Sequence, residues 1–173
     1  MKMSAEREIA APKDLVWAAL LDAEVLKACV PGCEELIGSA EEGFEATVVQ
    51  KVGPVKATFK GVVSISDQVA GESLTLTGEG KGGAAGFASG KADVTLETTD
   101  GGTKLTYEVD AKVGGKLAQL GSRIIDSFAK KMADQFFERF QEQVEGGDDI
   151  AANEEDEAAE KPGLFKRLLG KKS

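Results

Sequence analysis

Residues 114–140 read GGKLAQLGSRIIDSFAKKMADQFFERF, and their reading decides the fold. After the paired glycines, Leu117, Leu120, Ile124, Phe128, Met132, Phe136 and Phe140 recur at intervals of three or four. That spacing predicts one apolar stripe on a helix of about 28 residues, roughly 40 Å long. Lys130, Lys131, Asp134, Glu138 and Arg139 occupy its other side, which is too polar for a bilayer. The stripe is therefore expected to lie on a sheet.

The sheet is legible upstream. From Glu34 to Val113 the dominant period is two, best seen in Val55-Ala57-Phe59-Gly61-Val63-Ile65 and Leu105-Tyr107-Val109-Ala111-Val113. Turns are marked by Glu42-Gly43, Gly53-Pro54, Ala70-Gly71 and Asp100-Gly101-Gly102. These are strands with one wet and one dry face. Ahead of them, Met3 to Ala10 alternates as an opening strand. Pro12 then starts one short helix, and Asp22 is placed to cap a second that Pro31-Gly32 ends. The expected class is α+β: a curved antiparallel sheet gripping a long C-terminal helix, with two short helices after the first strand.

The chain has 173 residues and a net charge of −9, from 21 bases and 30 acids. That balance argues against a nucleic-acid partner, which needs a basic face. No histidine is present, which excludes Ser-His-Asp and Cys-His catalysis and every His-containing metal site. Cys29 and Cys33 lie four apart, neither a redox CxxC pair nor a set able to close a zinc tetrahedron, and read as small residues at a turn. No signal-peptide pattern opens the sequence and no apolar run approaches ~20 residues, so a cytoplasmic protein is expected.

Composition changes after Val144. Residues 145–160 hold eight acids and no base, an expected disordered linker; residues 161–173 hold five bases and four large apolar residues. Removing those eight acids and five bases from −9 leaves −6 on a folded body, residues 1–144. At ~100° per residue, Leu164, Phe165, Leu168 and Leu169 share a face, with Lys166, Arg167 and Lys171 opposite and Lys172 following. Such a tip suits an anionic membrane surface, with a partner's groove as the rival occupant.

The expected dry face is thin: Ala46, Ala57, Gly61, Gly78, Gly80, Ala92 and Ala111 lie among Phe44, Val48, Phe59, Leu76, Val94, Leu96 and Tyr107. Either the helix descends to fill the space or a cavity remains for an apolar ligand. Gly78, Gly80 and Gly83 satisfy GxGxxG, but a strand rather than a helix follows, so the stretch reads as a hairpin at a pocket lip with Phe87 as its bulky side chain. Arg7 is the single charge in an inward column of Met3, Ala5 and Ile9, and reads as a snorkelling edge residue. No catalytic or metal-binding constellation stands out; the inward register contains no carboxylate.

Four stretches in order carry a family likeness: Lys27-Ala-Cys-Val-Pro-Gly-Cys-Glu34, Val52-Gly-Pro-Val-Lys-Ala-Thr-Phe-Lys-Gly61, Gly78-Glu-Gly-Lys-Gly-Gly-Ala-Ala-Gly-Phe-Ala-Ser-Gly90 and Val113-Gly-Gly-Lys-Leu-Ala-Gln-Leu-Gly-Ser-Arg123. Ala129-Lys-Lys-Met-Ala-Asp-Gln-Phe-Phe137 extends it. Together they resemble the carbon monoxide dehydrogenase CoxG family, within the START-like (polyketide cyclase, lipid transport) superfamily. The resemblance implies a helix-grip fold around an apolar cavity, and recruitment of a cytoplasmic molybdenum CO dehydrogenase to the membrane.

The combined expectation is a non-enzymatic accessory protein, peripheral on the inner face of the cell membrane. It would hold a respiratory quinone, menaquinone or ubiquinone, and link the dehydrogenase to the electron-transport chain. Phe59, Val63, Phe87, Leu117, Leu120, Gly121, Ile124 and Phe128 are the expected lining, and the 161–173 tip the membrane contact. A ligand-free tether ranks second and a small cyclase-type enzyme third.

Overall fold

The computed structural model describes the backbone of residues 1–157 and side chains through residue 146. β1 (Lys2–Ile9) leads into two short helices, α1 (Lys13–Leu20) and α2 (Ala23–Cys29). Pro12 precedes the first, its fixed φ suiting a helix start. Asp22 Oδ1 caps the second, accepting from the Glu24 and Val25 amides at 2.8 and 3.4 Å.

Six strands follow: β2 (Cys33–Ser39), β3 (Gly43–Val52), β4 (Val55–Val69), β5 (Ser73–Lys81), β6 (Phe87–Thr99) and β7 (Gly102–Gly114). They form one antiparallel sheet in the order β1-β7-β6-β5-β4-β3-β2, with each hairpin neighbour paired and β1 closing on β7. The long helix, α3 (Ser122–Glu157), crosses the concave face. Its backbone approaches the strands most at β1 and β3, so the sheet bows away from it in between. This is the expected helix-grip arrangement.

Two boundaries differ from the sequence reading. The predicted helix over Leu117 and Leu120 is instead a 3₁₀ segment, Gly115–Leu120, closed by Gly121 at φ +92°. The left-handed glycine breaks the apolar stripe into a turn and a helix. At the other end α3 continues to Glu157, through most of the stretch expected to be a coil linker. Ala151, Ala152, Glu154, Glu155 and Glu157 are strong helix formers, and their propensity outweighs the expectation drawn from charge. Val144 is the last buried side chain among those described. The 161–173 tip lies outside the described residues.

The core is concentrated in one half of the grip. Ile9, Leu74, Val94, Leu96, Leu105 and Tyr107 of the sheet pack with Phe137, Phe140 and Val144 of α3 and with Val16 and Leu20 of α1. Phe136, Phe137 and Phe140 interlock edge-on and stacked, at 4.9 to 6.2 Å between centroids. Arg7 fastens β1 to this half. Its guanidinium lies 3.5 Å from Asp134, donates to Gln141 Oε1 at 3.2 Å, and sits 5.7 Å from the Phe137 ring centroid. It is the edge residue expected, with a defined set of partners.

Candidate functional site: an apolar bowl between sheet and helix

The other half of the grip is open. On β3 and β4, Val48, Ala57, Phe59 and Val63 alternate inward yet remain partly exposed. Leu76 of β5, Val109, Ala111 and Val113 of β7, and Phe128 and Met132 of α3 share that state. A close-packed interior would bury side chains with this register. Water therefore reaches the space between the sheet and the first half of α3. The small inward residues explain the gap, since Ala57, Gly61, Gly78, Gly80, Ala92 and Ala111 leave nothing to bridge to the helix.

The glycines have unequal freedom. A Cβ at Gly61 would lie 2.8 Å from the Glu79 carbonyl oxygen, and one at Gly78 3.2 Å from Val63 Cγ2. At Gly80 the nearest atoms would stand at 3.8 and 3.9 Å, an ordinary contact distance. Gly80 thus has room on the inward side and a backbone any residue can adopt.

Three segments gather at the mouth. The β3–β4 turn brings Gly53 against α3: a Cβ there would stand 3.5 Å from Ile124 Cγ2 and 3.9 Å from Leu120 Cδ1. The β5–β6 connection, with a 3₁₀ turn at Gly83–Ala85, lays Gly82 on the Phe59 ring so closely that no side chain fits. It also abuts the Gly115–Leu120 segment, where Gly86 and Gly115 meet backbone to backbone.

Of the eight expected lining residues, Phe59 and Val63 face the bowl from β4, and Phe128 is half-buried on α3. Leu120 and Ile124 stand at the mouth beside Gly53, Ile124 being 38% exposed. Leu117 is buried in the 3₁₀ segment. Two differ from expectation. Phe87 pairs with Lys81 and Gly114 on the outer face of the sheet, is 48% exposed, and lays its ring across Gly114. Strand parity, one residue off the inward column of Ala88, Gly90 and Ala92, puts it there. Gly121 is exposed, with nothing within 4 Å of an added Cβ, and serves as the break between turn and helix.

Sequence reading did not single out Tyr107, which belongs to the packed core and has Asp134, Arg7 and Lys130 as its charged neighbours. Tyr107 is 5% exposed and stacks on Phe137, yet its hydroxyl makes no hydrogen bond with any described residue. Burial, then the Asp134 carboxylate, push its phenol above the usual tyrosine range. Its being the only tyrosine in the chain was the available signal. The thiols differ in setting: burial pushes Cys29 up to about 12, with Arg139 opposing and Glu142 adding, and it also raises half-buried Cys33. Among the described residues, no group of three or more acids or cysteines is placed to hold a metal ion, and no helix is long and apolar enough to cross a membrane. Shallow grooves of about 530 and 410 Å³ also lie on the outer face, around Val62 and Glu79.

Comparison with known proteins shows the family and the fold. Residues 6–145 match the family model of CoxG, a component of carbon monoxide dehydrogenase. A conserved protein from Geobacillus kaustophilus is similar at 27% identity and a TM-score of 0.79, covering 85% of this chain and 97% of that one. A START superfamily protein from Mycobacterium smegmatis shares the fold at 12% identity and a TM-score of 0.63, covering 84% and 97%. A protein from Thermus thermophilus does so at 15% and 0.62, covering 84% and 98%. No curated protein matches the chain.

Proposed function

The chain belongs to the carbon monoxide dehydrogenase CoxG family, and from that premise we propose that it is a quinone-binding accessory of a molybdenum CO dehydrogenase. The observation that carries the proposal is the contrast within one interior. The same sheet and helix pack tightly around Phe137 and Phe140 but leave Phe59, Val63, Phe128 and Met132 touching solvent. Exposed apolar surface in a concave site is costly to leave wet, at about 25 cal/mol per Å², and favours an apolar occupant.

A respiratory quinone, menaquinone or ubiquinone, matches the bowl's chemistry. Its prenyl tail needs a long dry wall and few polar partners, which Phe59, Val63, Leu120 and Phe128 offer. Its carbonyl oxygens need a donor, and in this reading the Tyr107 hydroxyl, which bonds no other described residue, supplies it. The protein would carry the quinone between the enzyme and the inner face of the cell membrane, with residues 161–173 as its peripheral contact. No bond is made or broken by the chain itself in this reading.

Organic extraction of protein purified from its native host, followed by mass spectrometry, tests it. A stoichiometric quinone is expected. Another lipid keeps the bowl and discards the redox role, whereas an empty extract from folded protein leaves a tether. If removing residues 161–173 leaves vesicle binding unchanged, the assignment of that tip fails.

A further inference from the structure

Charge is segregated along the strands. The antiparallel meander brings the β3–β4 turn, the β5–β6 turn and the β7–α3 connection to one pole. Residues 50–62, 80–92 and 111–125, which build that pole, contain no Asp or Glu. They supply eight bases: Lys91 and Lys112 farther along the strands, where Lys91 pairs in register with Asp110, and six nearer the turns, namely Lys51, Lys56 and Lys60 on the β3–β4 hairpin, Lys81 at the end of β5, Lys116 in the 3₁₀ segment and Arg123 in the first turn of α3. All six are exposed, and none forms an ion pair with a described residue. At the opposite pole, residues 39–45, 67–73 and 97–103 carry seven acids and no base. The first acid along α3, Asp126, follows one turn after the basic pole begins.

Apolar groups stand among these bases. Phe87 and Ile124 are 48% and 38% exposed, and Pro54 is exposed in the β3–β4 turn. Unpaired bases ringing exposed apolar tips, in a chain of net charge −9, form a surface for an anionic apolar phase. We propose that this pole is a second membrane-docking surface, separate from the 161–173 tip, which seats the mouth of the bowl on anionic lipid. Its use rests on the apolar-ligand reading, because a mouth pressed to a bilayer gives such a ligand a dry path. An acidic protein face would match the bases but not the scattered apolar tips. A nucleic acid would meet repulsion from the acidic remainder of the chain.

The test uses the full chain with Lys161, Lys166, Arg167, Lys171 and Lys172 changed to Gln, so that the tip keeps its length and loses its side-chain charge. It is sedimented with phosphatidylglycerol–phosphatidylcholine vesicles and with phosphatidylcholine alone. Retained, salt-sensitive binding to the anionic vesicles is expected. Adding Lys51→Gln and Lys56→Gln, both exposed positions, should weaken partitioning about 25-fold, at roughly fivefold per base. No binding by the first variant, or equal binding by the second, overturns the proposal, as does capture of RNA in place of vesicles. Quinone extracted from the same samples reads the bowl separately. A chain that holds quinone but ignores vesicles removes the docking pole alone; one that docks but holds no quinone removes the quinone reading alone.

Discussion

Tyr107 of β7 lies flat on Phe137 of α3, with ring centroids 4.9 Å apart and planes 11° from parallel. This pair divides the interior. On one side Leu74, Val94, Leu96, Leu105 and Phe140 are buried; on the other Phe59, Val63, Phe128 and Met132 meet water. The stack fixes how near α3 can come to β7, and so helps hold the helix off the sheet where the small residues lie.

Tyr107→Phe separates the ring's role from the hydroxyl's. The hydroxyl gives up no protein hydrogen bond, so unliganded stability should change by less than about 0.5 kcal/mol or rise, where a bonded tyrosine would lose about 1. Phe137→Ala, which removes the stacked ring, should cost about 3–5 kcal/mol. Urea denaturation compares the two. A large loss on Tyr107→Phe would mean the hydroxyl is already satisfied and cannot serve a ligand.

Gly80→Leu should fill the bowl without unfolding the protein. An added Cβ meets only atoms at 3.8 Å or beyond, and the backbone there is unstrained for a side chain. The leucine then projects towards the space beside Phe59. Extracted quinone should fall several-fold while the melting temperature holds. Gly61→Ala is the control that should destabilise, because its Cβ collides with the Glu79 carbonyl. Full quinone occupancy in folded Gly80→Leu protein would place the ligand elsewhere.

The fold was legible because its signals are periodic. Alternation through Val55 to Ile65 and the three-or-four spacing through Ile124 to Phe140 each state which face is dry, and Asp22 and Pro12 mark helix starts locally. The site was legible only in part. The parity that places Phe59 inward holds along a continuous strand, but the turn at Gly83–Ala85 resets it before Phe87. Gly121 fits a helical stripe in spacing, and only its φ shows the break. The charged pole was hidden for another reason: its bases are scattered from Lys51 to Arg123 and become neighbours only through strand pairing.

The thiols should report burial directly. Cys29 is fully buried and Cys33 half-buried, and both are free. At pH 8 a maleimide should label Cys33 slowly and Cys29 hardly at all, while in denaturant both should react at once. Rapid labelling of Cys29 in the native protein would show that α2 opens from α3 far more readily than its packing allows.

Alkaline pH should destabilise the fold, and Cys29 sets the sign. Burial raises its pKa from 9.0 to about 12, so above pH 9 the unfolded chain releases a proton that the folded chain keeps. Its contribution is therefore intact below about pH 9 and is lost progressively as pH climbs towards 12. One group with this shift lowers stability by about 1.4 kcal/mol between pH 8 and pH 10. Cys33 and Tyr107 are shifted upward too and act in the same direction. Urea midpoints at the two pH values, for the parent and for Cys29→Ala, isolate the share of this thiol. The variant starts less stable because it loses a buried side chain, but its decline with pH should be shallower by about that amount. Equal declines in both proteins would show that Cys29 ionises freely in the native state, which is incompatible with its buried place between α2 and α3.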